Sequence, residues 1–259
     1  MYTMTEILFN AQSGDLEMEE ASMNARRSFK IIWRELSWEM RRIIPVHNLC
    51  AVKKAFFTSK STENNVSVEH MWVGDMTFDG QIITGQLLNQ PDEIDNLNQG
   101  DTVKFHYEEI SDWMCSIRGK VYGAFTVNIF RSRMTKKELE AHDNAWEMDF
   151  GDPKPVYIED MLSFTEFLIT LSSKLPEHSM SKNMTDKSEE GIKAMGVRIN
   201  EPSIFGMTML QFESLAGNLT QVKLLIKYGA DQKIKNIHGQ TATNLAEMFN
   251  WSEIVTVLQ

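Results

Sequence analysis

The stretch Glu69-His70-Met71-Trp72 sets a carboxylate, an imidazole and an indole close together, and such side chains are the raw material of general acid and base catalysis. The surrounding residues are β-prone, and in an extended chain successive side chains point to opposite faces. Glu69 and His70 are therefore expected to face apart, while His70 and Trp72 share a face. A pocket lined by His70, Trp72, Asp112 and Trp113 is one reading; the favoured one makes Trp72 and Trp113 packed aromatics of the framework. His47 and Cys50 have the spacing of half a metal site, but Cys115 and His70 would have to converge on them by folding. No metal and no cofactor are expected, and Cys50 and Cys115 are expected to be reduced and buried. Without a glycine-rich phosphate loop, a GxSxG elbow or an HExxH pair, the chain is expected not to be an enzyme.

The elements that position these residues follow from patterning. Ala25, Phe29, Ile32, Trp33, Leu36, Met40 and Ile43 recur at helical steps and predict an amphipathic helix ended by Pro45. Its other face carries Arg26, Arg27, Lys30, Arg34, Arg41 and Arg42, which reads as a solvated face rather than a nucleic-acid surface. From Leu49 to Phe130, LCAVKKAFFTS, VSVEHMWVGDMTF, QIITGQLLN, DTVKFHY, DWMCSI and GAFTVNIF predict strands separated by turn residues. Asn64-Asn65 marks one such turn, and Asp79-Gly80 is a tight-hairpin signal. Residues 135 to 195 turn helical again, with TKKELEAHDNAWEM and VYIEDMLSFTEFLITLSSKL as helices. One helix followed by antiparallel strands is an α+β arrangement.

The 259 residues suit two domains, and 42% hydrophobic with 24% charged residues describes a globular chain. A formal charge of −10 disfavours nucleic acid and anionic membrane as partners and favours a basic protein. The acidic start lacks a secretory signature, no apolar run reaches membrane-spanning length, and two cysteines suit a reducing compartment, so a cytoplasmic location is expected. The segment Gln86 to Cys115 concentrates acid: Asp92, Glu93, Asp95, Glu108, Glu109 and Asp112 form a candidate surface for a basic partner.

At the carboxyl end, Gly206-Met-Thr208 recurs as Gly239-Gln-Thr241, a step of 33 residues. Gly217 falls between two short helical patterns, and Val222, Leu225 and Ile226 precede Gly229-Ala230-Asp231. This period and order resemble ankyrin repeats. A degenerate earlier copy is read up to Gly196-Val197-Arg198-Ile199-Asn200, with Pro176 and His178 at family-like positions. The sequence departs from the pattern at Met209, Gln211, Glu213 and Ser214, where proline, histidine and two alanines are usual. The resemblance implies protein binding through turn tips and the concave helix face. That points to Ile204, Phe205, Gln211, Glu213, Lys235 and His238.

Further upstream, ARRSF at 25 to 29, EHMWVGDM, GQLLNQP, LNQGDTV and ISDWM, followed by GKVYGAFTV, resemble the YegJ-like family of small bacterial domains over roughly residues 20 to 133. The resemblance implies an α+β domain and brings no catalytic residues. The expected organisation is residues 1–134 as an α+β domain of one helix and an antiparallel sheet, 135–195 as a helical connector and cap, and 196–259 as an all-α ankyrin-like repeat domain. By association of both families with toxin-immunity loci, the expected role is a bacterial immunity protein that binds and neutralises a basic toxin. The alternative is a small-molecule-binding or hydrolytic domain regulated by its ankyrin module.

Overall fold

A computed structural model describes residues 15–57, 68–92, 94–153, 175–202 and 205–259. The chain divides into two compact units, and the division cuts through secondary-structure elements. Described residues within 15–32, 42–77 and 82–153 belong to the first; those within 33–41, 78–81 and 175–259 belong to the second. The predicted Asn64-Asn65 turn and most of the helix predicted from Val156 lie outside the described residues.

Helix α1 is Leu16–Glu39. Asp15 caps it, its Oδ1 accepting from the backbone N–H groups of Glu17 and Met18, at 3.2 and 3.3 Å. The apolar stripe is buried as expected through Ala25, Phe29, Ile32 and Trp33, but the helix stops before Ile43, which is 94% exposed. The basic face also departs from expectation: Lys30 and Arg34 are buried. Within the second unit, Arg34 Nη1 donates to the Pro176 carbonyl at 2.9 Å, and its guanidinium lies 5.6 Å from the Trp251 ring centroid. A long aliphatic stem can be buried where its head finds an acceptor, so charge alone did not mark a solvated face.

The strands are β1 His47–Phe57, β2 Val68–Phe78, β3 Ile82–Leu87, β4 Thr102–His106, β5 Ile110–Ile117 and β6 Lys120–Gly123. They form one antiparallel sheet in the order β4-β3-β2-β1-β5-β6. The amino-terminal helix and this sheet give the expected α+β unit. A central strand must present both faces to packed material, and β1 does so: Val52 and Ala51 are both fully buried. Ala51 packs with Trp72, Met114, Val121, Ala124, Val127 and Phe150 in one core cluster.

GAFTVNIF is not a strand. The strand ends at Gly123 and helix α2, Phe125–Ser132, begins within that run. Gly123 has φ 78° and Ala124 φ 57°, so two consecutive left-handed residues turn the chain out of the sheet. A Cβ at Gly123 would run into the Trp113 carbonyl and ring. The β-branched and aromatic residues that suggested a strand instead place Phe125, Thr126 and Val127 in the interior on a helix. Helix α3, Lys136–Trp146, follows with a capping box between Thr135 and Glu138. Buried Arg131 ties it to α2, donating to Asp143 at 2.9 and 2.6 Å, to the Gly151 carbonyl at 2.8 Å and to Asn128.

The second unit contains α4 Ser179–Asn183, α5 Thr185–Met195, α6 Met209–Ala216, α7 Leu219–Lys227, α8 Ala242–Met248 and α9 Ser252–Leu258. The 33-residue repeat has a direct structural counterpart: Thr208 and Thr241 each cap the first helix of a pair, accepting from the N–H of Gln211 and Asn244. Met207, Leu210, Leu215, Val222, Leu225, Leu245 and Ala246 make its core. Residues 33–39 of α1 belong to the same unit. There Trp38 Nε1 donates to Asn218 Oδ1 at 2.9 Å, and Trp33 meets Phe78 and Phe212 edge-on.

Candidate functional site

A cleft of about 730 Å³ opens in the first unit. Lys53 and Ala55 of β1, His70 of β2, Ser111 of β5 and Thr126 of α2 line it, with Asp15, Glu19, Arg26, Glu108 and Glu109 among the charged residues around them. Strand alternation explains Lys53: Ala51, Lys53 and Ala55 share a face, and that face is the one turned toward α2. Asp112 and Trp72 stand opposite Lys53 on the two flanking strands, by the registers Lys53↔Asp112 and Lys53↔Trp72.

Asp112 is fully buried. Its Oδ1 accepts from the N–H groups of Trp113 and Phe125, at 2.8 and 2.9 Å. Its Oδ2 accepts from Thr126 N at 2.8 Å, Thr126 Oγ1 at 2.5 Å and Val127 N at 3.4 Å. The carboxylate therefore supplies the N-terminal cap that Ala124 lacks, and it sits where the helix dipole is positive. Lys53 Nζ donates to Thr126 Oγ1, lies 3.8 Å from Asp112 Oδ2 and stands 5.1 Å from the Trp72 ring centroid. Burial lowers the Lys53 pKa and raises that of Asp112, and each charge opposes the other's shift.

His70 stands on the cleft wall. Ser111 Oγ donates to the Lys53 carbonyl at 3.1 Å, so the hydroxyl accepts from His70 Nδ1 at 3.3 Å. That arrangement leaves the lone pair of the neutral ring on Nε2. Desolvation against the wall, and then the Lys53 charge, push the imidazole pKa down to about 4, so the ring is neutral at neutral pH. A buried amine beside a neutral imidazole acceptor can bind a polar ligand.

Glu69 and His70 do face apart: Glu69 is buried and accepts from Asp92 N at 3.1 and 3.2 Å. Of the alternative pocket, His70 lines the cleft and Trp72 lies beneath Lys53. Trp113 lies outside it, buried and donating through Nε1 to Ser28 Oγ at 2.9 Å. Lys53, Ser111 and Thr126 were missed. The one available signal was a lysine in the inward phase of AVKKAFF.

Of the expected acidic surface, Asp92, Asp95, Glu108 and Glu109 are exposed, Glu109 pairing with Lys54 at 2.7 Å. Asp112 is not a surface residue, because it caps α2 from inside the core. Glu93 and Ile204 lie outside the described residues. In the second unit Gln211 and Glu213 are also buried, at 1% and 3% exposure, which removes them from the expected contact surface. Gln211 Nε2 donates to the carbonyls of Ile234 and Gln240, at 2.9 and 3.1 Å, linking one repeat to the next turn. Glu213 accepts from Arg41 at 2.5 Å and Asn218 at 2.8 Å, and burial raises its pKa against both partners. Phe205 is half-buried and stacks on Phe212, with ring centroids 5.8 Å apart.

Lys235 and Ile237 are exposed on a turn organised by Asn236, whose Oδ1 accepts from the N–H groups of His238 and Gln240. His238 Nε2 pairs with Asp79 at 3.0 Å, leaving Ile237 as the apolar residue at this tip, 73% exposed.

The cysteines differ from expectation as well. Cys50 and Cys115 face each other across β1 and β5 with Cα atoms 4.2 Å apart, and their sulfurs are bonded. Direct cross-strand register, invisible in the sequence, brings them together. No described helix is long and apolar enough to cross a membrane.

A family model described as an uncharacterized protein conserved in bacteria (DUF2314) matches residues 15–150. A Neisseria meningitidis serogroup B protein named for ankyrin repeats is 35% identical over 253 residues, covering 98% of this chain and 97% of that one. Uncharacterized protein YegJ of Escherichia coli K12 is 32% identical over 72 residues, 28% of this chain and 47% of YegJ. Notch-regulated ankyrin repeat-containing protein B of Danio rerio is 35% identical over 81 residues, 31% of this chain and 66% of that protein.

Proposed function

The chain belongs to the DUF2314 family, and from that footing we propose that it is a non-enzymatic protein-binding protein of the bacterial cytoplasm. The carrying observation is the turn at Lys235–His238: an aliphatic side chain, Ile237, is held 73% exposed on a turn fixed by Asn236. A rigid exposed aliphatic residue offers contact area at little entropic cost. Ankyrin similarity supports a protein partner in general. The finer role proposed is immunity: binding a basic toxin or effector domain and blocking its action. The net charge of −10 and the exposed Asp92, Asp95 and Glu108 support a basic partner over nucleic acid or anionic membrane.

The test is growth rescue by co-expression with a toxin encoded beside this chain, joined to a binding measurement on purified proteins. Rescue with one-to-one binding, weakened at least about tenfold by the uncharged Ile237→Ser, a loss of about 1.4 kcal/mol, is the expected result. Rescue and affinity unchanged in the folded variant would exclude this turn. Neither rescue nor binding would remove the immunity role.

The cleft favours a second reading, a small-molecule site built on Lys53 and His70. A metabolite retained in native mass spectrometry and lost in folded Lys53→Met would favour it over the first.

A further inference from the structure

His47, Cys50 and Cys115 place an imidazole nitrogen and two sulfurs within 4.8 Å of one another. We propose that, once the Cys50–Cys115 bond is reduced, these residues form a soft-metal site that takes zinc. The proposal is independent of the protein-binding reading.

Three observations carry it. In a regular strand, residues three apart point to opposite faces, so His47 and Cys50 should diverge. The β1–β5 register shifts between His47 and Leu49, and a bulge of this kind re-aims a side chain. Here it brings His47 Nδ1 to 3.4 Å from Cys50 Sγ. Second, the sulfur of Cys115 comes from the adjacent strand directly opposite Cys50, so the donors do not depend on a single loop. Third, the donor set fits the ion. Zinc bonds of about 2.3 Å to sulfur and 2.0 Å to nitrogen at a tetrahedral angle separate the two donors by about 3.5 Å, close to the observed spacing. Two thiolates and an imidazole leave a fourth position for water or another ligand, and soft thiolates select zinc or cuprous copper over magnesium and calcium.

The chemistry balances with a small-molecule thiol as reductant. Two equivalents reduce the bond, giving two cysteine thiols and one external disulfide. Binding the divalent ion then releases both thiol protons to solvent and forms two metal–sulfur bonds. In a reducing compartment the metal-binding form would be available; under oxidation the sulfur–sulfur bond would expel the ion.

The full-length chain should be reduced, freed of excess reductant without air and titrated with Co²⁺, then with Zn²⁺. One equivalent of Co²⁺ should produce thiolate-to-cobalt charge-transfer absorption that zinc abolishes. The oxidised chain should give none. His47→Ala, with unchanged circular dichroism and two titratable thiols, should weaken Co²⁺ binding by more than about tenfold. Cys115→Ser should lose the charge-transfer intensity. If the reduced chain shows two free thiols and no cobalt charge transfer, or if folded His47→Ala binds as tightly as the parent, the proposal is overturned.

Discussion

Replacing Asp112 by alanine should destabilise the first unit more than an ordinary surface change. The carboxylate is buried, caps α2 through Phe125, Thr126 and Val127, and faces Lys53 Nζ at 3.8 Å. Removing one partner of a buried charge pair costs about 3–5 kcal/mol. Loss of a cap alone costs about 1 kcal/mol. The two losses share one group and are not added, so the expected cost is about 3 kcal/mol. Asp112→Asn keeps one oxygen acceptor and should cost about 2 kcal/mol, the scale of a charge-assisted bond. In a Lys53→Met background the asparagine substitution should cost at least about 1 kcal/mol less, because the charge that needed Asp112 is gone. Urea unfolding followed by tryptophan fluorescence measures these differences, and amide hydrogen exchange at Phe125–Val127 localises them to the cap. A cost below about 1 kcal/mol for Asp112→Ala, or equal asparagine costs in both backgrounds, would refute the pairing argument.

Other consequences can be measured separately. An NMR titration of His70 should give a pKa of about 4, and Lys53→Met should raise it only partway, since desolvation is the larger cause. The sign for stability follows from an unfolded value of about 6.5. This group's stabilising contribution is present above that value, is lost as pH falls toward about 4, and is constant below; His70→Gln should flatten that part of the stability profile. Trp38→Phe leaves the buried Asn218 oxygen without the indole donor and should cost about 1–3 kcal/mol in thermal or urea unfolding of the second unit. Gly123→Ala should destabilise by at least about 1–2 kcal/mol, because φ is 78° and a Cβ meets the Trp113 carbonyl; a neutral result by urea unfolding would show that the turn can relax.

Local patterning determined much of the architecture. The spacing of Ala25, Phe29, Ile32 and Trp33 specifies an amphipathic helix because a helix repeats every 3.6 residues, and the alternating runs specify strands because a strand repeats every two. The 33-residue return of Gly-x-Thr marked the ankyrin-like pairs because each unit needs the same cap and turn. Opposite facing of Glu69 and His70 was legible for the same local reason.

Tertiary structure decided the site. GAFTVNIF has strand-forming residues, yet left-handed Gly123 and Ala124 and the distant Asp112 carboxylate start a helix there. Lys53 looked like one charge in a strand until β2, β5 and α2 enclosed it. Gln211 and Glu213 looked like surface substitutions, but Ile234, Gln240, Arg41 and Asn218 supply partners inside the fold. The meeting of Cys50, Cys115 and His47 depends on strand register and a bulge. Sequence periodicity reports which face a residue occupies; which residue stands across from it is set by pairing between segments far apart in the chain.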